Sequence, residues 1–203
     1  MTDSKKYVIF AGINGVGKTA LHRVLSENAD LGKRISIDDI VLSMGDWHDP
    51  LVQIKAARKA MAELRAVIDE GLTFHQETTL PGEAIIRYAD LAKSKGYRVV
   101  LHYIGVASLD IAKERVRHRV EEGGHGIDEK IMEKRFADMY NFLFPLMERC
   151  DEVYFYDNSL RFTQIAVMLD GVVTDLDADR PDWFKDMMAK REERRAPHET
   201  VNS

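Results

Sequence analysis

The sequence predicts an α/β fold: a parallel five-stranded sheet with helices on both faces, closed by a small C-terminal β-hairpin and helix. Three observations carry this. Short apolar runs rich in β-formers alternate with longer amphipathic stretches over most of the chain. Those runs are apolar at consecutive positions, as strands buried on both faces require. The alternation then gives way to two short β-runs around Asp170-Gly171, a hairpin signal.

The elements follow in order. "KYVIFAG" (6–12) is a buried strand stopped by glycine, and "GKTALHRVLSENA" (17–29) a helix. "RISIDDI" (34–40) reads as a second strand ending in two aspartates. "DPLVQIKAARKAMAELRAVIDEG" (49–71) is a strong helix with Ile54, Ala57, Met61, Leu64 and Ile68 on one face and Gly71 as its cap. "LTFHQETT" (72–79) is the third strand, and "GEAIIRYADLAKSKG" (82–96) a glycine-stopped helix. "YRVVLHYIGV" (97–106) is the fourth strand; "SLDIAKERVRHRVEEGG" (108–124) is a helix with Ser108 as N-cap. "DEKIMEKRFADMYNFLFPLMERC" (128–150) is a long helix capped by Asp128, with Pro145 near its end. "EVYFYDN" (152–158) is the fifth strand. The hairpin lies within 162–177, and "RPDWFKDMMAKREERR" (180–195) is a terminal helix.

No linker divides the 203 residues, so a single domain is expected, with 190–203 fraying at its charged and polar end. A net charge of −5 argues against bulk attraction to nucleic acid or an anionic membrane. No apolar run approaches the roughly 20 residues of a membrane helix, and the opening "MTDSKKYVIFAG" does not read as a secretory leader. The single cysteine, Cys150, excludes an internal disulfide and fits a reducing cytoplasm.

The chemistry begins at Gly12–Thr19, "GINGVGKT", which fits G-x-x-x-x-G-K-[ST] in full between an apolar strand and a helix. This is the phosphate loop (Walker A) of the phosphate-loop NTPases. Gly12, Gly15 and Gly17 let backbone N–H groups converge on phosphate oxygens, where a Cβ would block the approach. Asn14, Val16 and Ala20 complete the cradle, Lys18 reaches the β- and γ-phosphates, and the Thr19 hydroxyl can ligand Mg²⁺. The alternative is a glycine-rich strand–helix turn with no ligand. No N-K-x-D guanine-reading motif appears, so ATP with Mg²⁺ is the expected pair.

With "AGINGVGKT", three further stretches matter: "FHQETTLPG" (74–82), "RVRHRVEEGGHGIDEKIMEKRF" (115–136) and "YDNS" (156–159). Together they resemble the zeta toxin family of phosphate-loop kinases over roughly the first four-fifths of the chain. The resemblance implies ATP-dependent phosphorylation of the 3′-hydroxyl of the sugar in UDP-N-acetylglucosamine or a related sugar nucleotide. Plasmid-borne members are toxins held by a small antitoxin, which makes an antitoxin protein a candidate partner. Two departures stand out. Ile13 replaces the usual proline, and "SIDDI" stands where the family commonly has N-x-D-E-I. Aligning the isoleucine puts the key acid at Asp38; spacing from the lysine would choose Asp39. Asp38 is preferred.

Phosphoryl transfer needs positioning, charge neutralisation and a group beside the attacking hydroxyl. Asp38 is the candidate proton acceptor, against an N-cap or solvated acid. Glu77, beside Thr78 and Thr79, can hold substrate hydroxyls or Mg²⁺-bound water, or bond a loop backbone; the threonines can contact substrate or shape the turn. Arg115 and Arg119, one helical turn apart, can clamp phosphates. Arg117 reads as a solvated residue paired with nearby glutamates, and Arg135 is a third phosphate candidate. His125, in "GGHG", can contact phosphate or base, or stabilise a glycine-rich lid. The competing functions are a kinase for another small alcohol (a sugar, nucleoside or antibiotic) and a non-catalytic nucleotide-dependent binding protein.

Overall fold

Tyr7, Ile9 and Ala11 belong to one buried cluster, and Val8 and Phe10 to another. A strand that buries both of its faces belongs in the middle of a sheet covered on both sides. The computed structural model describes residues 5–46, 49–124, 126–176 and 180–196 (of Asp38, Leu42 and Asp175 the backbone alone). Its elements are β1 (Lys6–Ala11), α1 (Lys18–Ser26), β2 (Lys33–Ile35), α2 (Ile37–Met44), α3 (Pro50–Glu70), β3 (Phe74–Thr78) and α4 (Ala84–Ser94). They continue with β4 (Arg98–Gly105), α5 (Leu109–Glu121), α6 (Glu129–Met147), β5 (Glu152–Asp157), β6 (Thr163–Leu169), β7 (Val172–Asp175) and α7 (Asp182–Arg195).

Among the described residues the sheet has seven strands in the order β2-β3-β1-β4-β5-β6-β7. Strands β1 to β5 pair in parallel, so the expected parallel part is present. The hairpin does not stand apart: β6 adds antiparallel to β5 and β7 to β6, which widens the sheet from five strands to seven. Its turn is tight, with Asp170 at φ 48° and Gly171 at φ 82°.

One cluster sets the odd positions of β1 against α3, α4, α7 and the end of α6. The other sets Val8 and Phe10 against Leu21 of α1, Ala112 and Val116 of α5, and Met132 and Met139 of α6. Because β1, β3, β4 and β5 run in one direction, their C-terminal ends, and the loops that leave them, gather along one edge.

Three local expectations are corrected. The second strand stops at Ile35, because the Ser36 hydroxyl accepts the Asp39 N–H and starts α2. Asp38 and Asp39 therefore sit in the first turn of a helix, not at a strand end. On α3 the buried row is Ala56, Ala60, Leu64, Val67 and Ile68, while Ile54 and Met61 are exposed. Two alanines allow a close approach that the bulkier pair would prevent. Finally, α7 runs to Arg195 with Arg191 buried, so helix occupies part of the segment expected to fray; residues 197–203 lie outside the described ones.

Candidate active site

A cleft of about 490 Å³ opens at the C-terminal edge of the parallel strands. Its floor is the loop between β1 and α1. At Gly15 (φ +84°) an added Cβ would lie 2.3 Å from the Ala112 carbonyl oxygen, so only glycine lets the loop pass the start of α5. Gly17, in the left-handed region, precedes α1 and brings no side-chain cap. The first N–H groups of α1 thus face the cleft, where the helix dipole favours an anion. Lys18 bends back over the loop, its Nζ donating to the carbonyls of Gly12 and Ile13 at 2.9 Å each. Asn14, Gly15, Gly17, Lys18, Thr19 and Ala20 line the cleft. Val16 turns its side chain into the core and presents only backbone, its carbonyl accepting from Asn158 Nδ2 at 2.9 Å.

One wall carries cations. Arg115 and Arg119 both line the cleft, as their spacing on α5 requires. Arg115 Nη1 and Arg119 Nε and Nη2 are buried with no hydrogen-bond partner among the described residues. Buried guanidinium donors are costly to leave bare, so this wall fits an incoming anion. Arg135 reaches the loop from α6, donating to Asn14 Oδ1 at 2.9 Å. Arg117 points away, exposed and paired with Glu114. After α5, the N–H groups of Gly123 and Gly124 bond back to Val120 and Arg119, closing the helix end. His125 lies outside the described residues.

The opposite wall carries acids and hydroxyls. Glu77, at the end of β3, accepts from Thr19 Oγ1 at 2.8 Å and from Arg34 Nη2 at 3.2 Å. Arg34 also binds the Asp39 carboxylate, joining β2, α2 and β3. Asp39 lines the cleft, as do Thr78 and Thr79; the Thr78 hydroxyl also accepts the Leu80 N–H at 3.0 Å and so shapes the turn. The Asp38 side chain lies outside the described residues. A hydroxyl and a carboxylate side by side at a phosphate loop fit Mg²⁺, which takes few protein oxygens and keeps waters and phosphates as its other ligands.

Behind the phosphate loop, His22 Nε2 and His75 Nε2 lie 2.8 Å apart, and His75 Nδ1 meets the Leu31 carbonyl at 3.0 Å. Burial lowers the pKa of both rings. On the same face, His102 stacks between Phe10 and Tyr154, and burial lowers its pKa to about 4.

Sequence reasoning missed Arg34, Asn158 and the histidine pair. Arg34 carries no local signal, since its partners come from two other segments. Asn158 lies within "YDNS", and its place after the fifth strand was the one available hint.

No protein-family model matches the chain. An uncharacterized protein of Haemophilus influenzae is 33% identical over 131 residues, covering 64% of this chain and 92% of that protein. Among solved structures, one from the PezAT chromosomal toxin-antitoxin system of Streptococcus pneumoniae is similar with a TM-score of 0.62 at 15% identity, over 95% of this chain and 86% of that one. The structure of AvrRxo1-ORF1:-ORF2 with ATP is similar with a TM-score of 0.67 at 16% identity, over 91% of this chain. The chain spans 63% of that neighbour's length. The chain belongs to one family with the Haemophilus protein, and its fold is that of the zeta toxins.

Proposed function

We propose that this protein is an ATP-dependent small-molecule kinase. It transfers the γ-phosphoryl group of ATP to an alcohol oxygen, with the 3′-hydroxyl of the sugar in UDP-N-acetylglucosamine, or a related sugar nucleotide, as the first acceptor to test. One observation carries the reading: Arg115 and Arg119, which have buried guanidinium nitrogens without a hydrogen-bond partner among the described residues, line the same cleft as a complete phosphate loop. The sugar nucleotide rests on the family resemblance. An antitoxin-like partner rests on the likeness to the PezAT system.

In this reading the α1 N-terminus and Lys18 hold the β- and γ-phosphates, and Arg115, Arg119 and Arg135 draw charge from the transferring group. Thr19 and Glu77 would hold Mg²⁺, which when bound neutralises phosphate charge. The acceptor lies along the wall of Glu77, Thr78 and the first turn of α2. Its oxygen forms a bond to the γ-phosphorus as the bridging oxygen of ADP departs, and its proton passes to Asp38. Asp39 is already engaged by Arg34, which supports giving this role to its neighbour.

Purified protein, ATP and Mg²⁺ should be incubated with sugar nucleotides, free sugars, nucleosides and aminoglycosides, and the products weighed by mass spectrometry. A sugar nucleotide heavier by one phosphoryl group supports the reading. Transfer to another alcohol alone moves the acceptor class. Tight ATP binding with no transfer to any alcohol leaves a nucleotide-dependent binding protein.

A further inference from the structure

Arg115 is held by a loop, and that loop is held by the last helix. Arg115 Nη2 donates to the main-chain carbonyl of Ser159 at 3.2 Å, while its Nη1 has no partner among the described residues. Ser159 is fixed in turn. Its hydroxyl donates to Asp157 Oδ1 at 2.6 Å and accepts the Ala107 N–H at 2.8 Å, and its own N–H reaches Asp157 Oδ1 at 3.3 Å. The same carboxylate oxygen accepts the indole N–H of Trp183 at 2.9 Å, from the first turn of α7. The indole lies flat on β4, where a Cβ added at Gly105 would meet Trp183 Cη2 at 2.4 Å. Between these residues Asn158 ties the loop to the Gly105 carbonyl through its N–H and to Val16 of the phosphate loop through its side chain.

We propose that Trp183 is a positioning residue for phosphate binding, acting through Asp157 and Ser159 on Arg115. The inference rests on the kinase reading, in which Arg115 meets the γ-phosphate. The physical reason is geometric. A guanidinium group on a long side chain has many rotamers, and one main-chain carbonyl selects among them only if that carbonyl cannot move. Asp157 supplies that fixity by gathering donors from its own loop and from α7. Loss of the indole N–H leaves Asp157 with local partners only, so the Ser159 carbonyl gains freedom and Arg115 with it. The helix farthest along the chain thereby helps set the cationic wall of the cleft.

The test uses ATP and ADP binding, measured by calorimetry with Mg²⁺ on the full chain, because the two nucleotides differ only in the group Arg115 is held to meet. Trp183→Phe keeps an aromatic side chain in the first turn of α7 and removes the N–H. We expect ADP affinity to stay within about twofold and the preference for ATP over ADP to fall by roughly 3- to 10-fold, the scale of a misplaced charged hydrogen bond. Arg115→Ala should lose at least as much of that preference. In the double variant, Trp183→Phe should add nothing to Arg115→Ala, because the relay then has no end.

An unchanged preference in Trp183→Phe, or a loss that multiplies with that of Arg115→Ala, would overturn the proposal. A lower melting temperature with unchanged preference would do the same, leaving the indole a packing role only. Failure of the kinase reading looks different: the unmodified protein would then bind neither nucleotide, or bind ATP and transfer its γ-phosphoryl group to no alcohol, whatever Trp183→Phe does to the preference.

Discussion

At the scale of single residues, Lys18 is the first test. It opens α1 and its Nζ donates to the Gly12 and Ile13 carbonyls, so Lys18→Ala removes a charge and two hydrogen bonds to the loop but no core packing. Transfer should fall by about 10²-fold or more, measured as product formed per unit time, while the protein remains folded with a cooperative melting curve. Arg119→Ala should lower turnover more than ATP affinity, because an arginine in the cleft wall engages most fully as charge develops on the transferring group. Equal losses in both would mark ground-state binding instead. Asp38→Asn should lose transfer and keep ATP binding, whereas Asp39→Asn should retain most activity; product formation and nucleotide affinity for the pair would decide, and the reverse pattern would move the role to Asp39. The glycine-rich turn from Gly12 to Thr19 was legible because its residues are contiguous with the strand and the helix that they join. Arg34 was not, since Asp39 and Glu77 lie on other elements and only folding joins them. Trp183 was hidden for the same reason: its partner Asp157 is on β5, across the hairpin in sequence.

At the scale of elements, the boundary between β2 and α2 shows what a local pattern can hide. "RISIDDI" alternates isoleucine with polar residues, which reads as a strand. The same residues contain a serine three places before Asp39, and that serine caps a helix instead. Capping satisfies a bare helical N–H, whereas the alternation could only continue at the sheet edge, where β2 has a single neighbour. Ser36→Ala should therefore cost about 1 kcal/mol of stability in urea unfolding. It should also lower transfer, because α2 carries both aspartates. A stability loss with full activity would separate the cap from the acceptor wall. The helix α3 was legible in extent but not in facing, because alanine rows give a weak periodic signal and yet pack closest.

At the scale of the whole molecule, the strand order gathers one edge of the sheet into a cleft and leaves histidines buried behind it. His102 has a pKa of about 4 in the folded chain, below the ordinary 6.5, because burial disfavours its charged form. Between those values the unfolded chain binds more protons than the folded one, so stability is complete above the ordinary value and is lost as pH falls toward 4. From about pH 7 to about pH 5 this residue alone should cost about 2 kcal/mol. His22 and His75 shift in the same direction. Urea midpoints at the two pH values should differ less in His102→Phe, whose ring can stack between Phe10 and Tyr154; an undiminished difference would assign the acid sensitivity elsewhere. The parallel core of the sheet was legible from alternation alone. That the hairpin joins the sheet was not, because pairing between β5 and β6 is a long-range choice that no local pattern encodes.

The central claim is that this cleft transfers the γ-phosphoryl of ATP to an alcohol. Phosphorus NMR of the purified protein with ATP, Mg²⁺ and a pool of sugar nucleotides and other small alcohols tests it most directly. The γ-phosphate resonance should decay while a phosphomonoester resonance grows, and Lys18→Ala should show neither change. No phosphomonoester from the unmodified protein, or equal amounts from both proteins, would contradict the account.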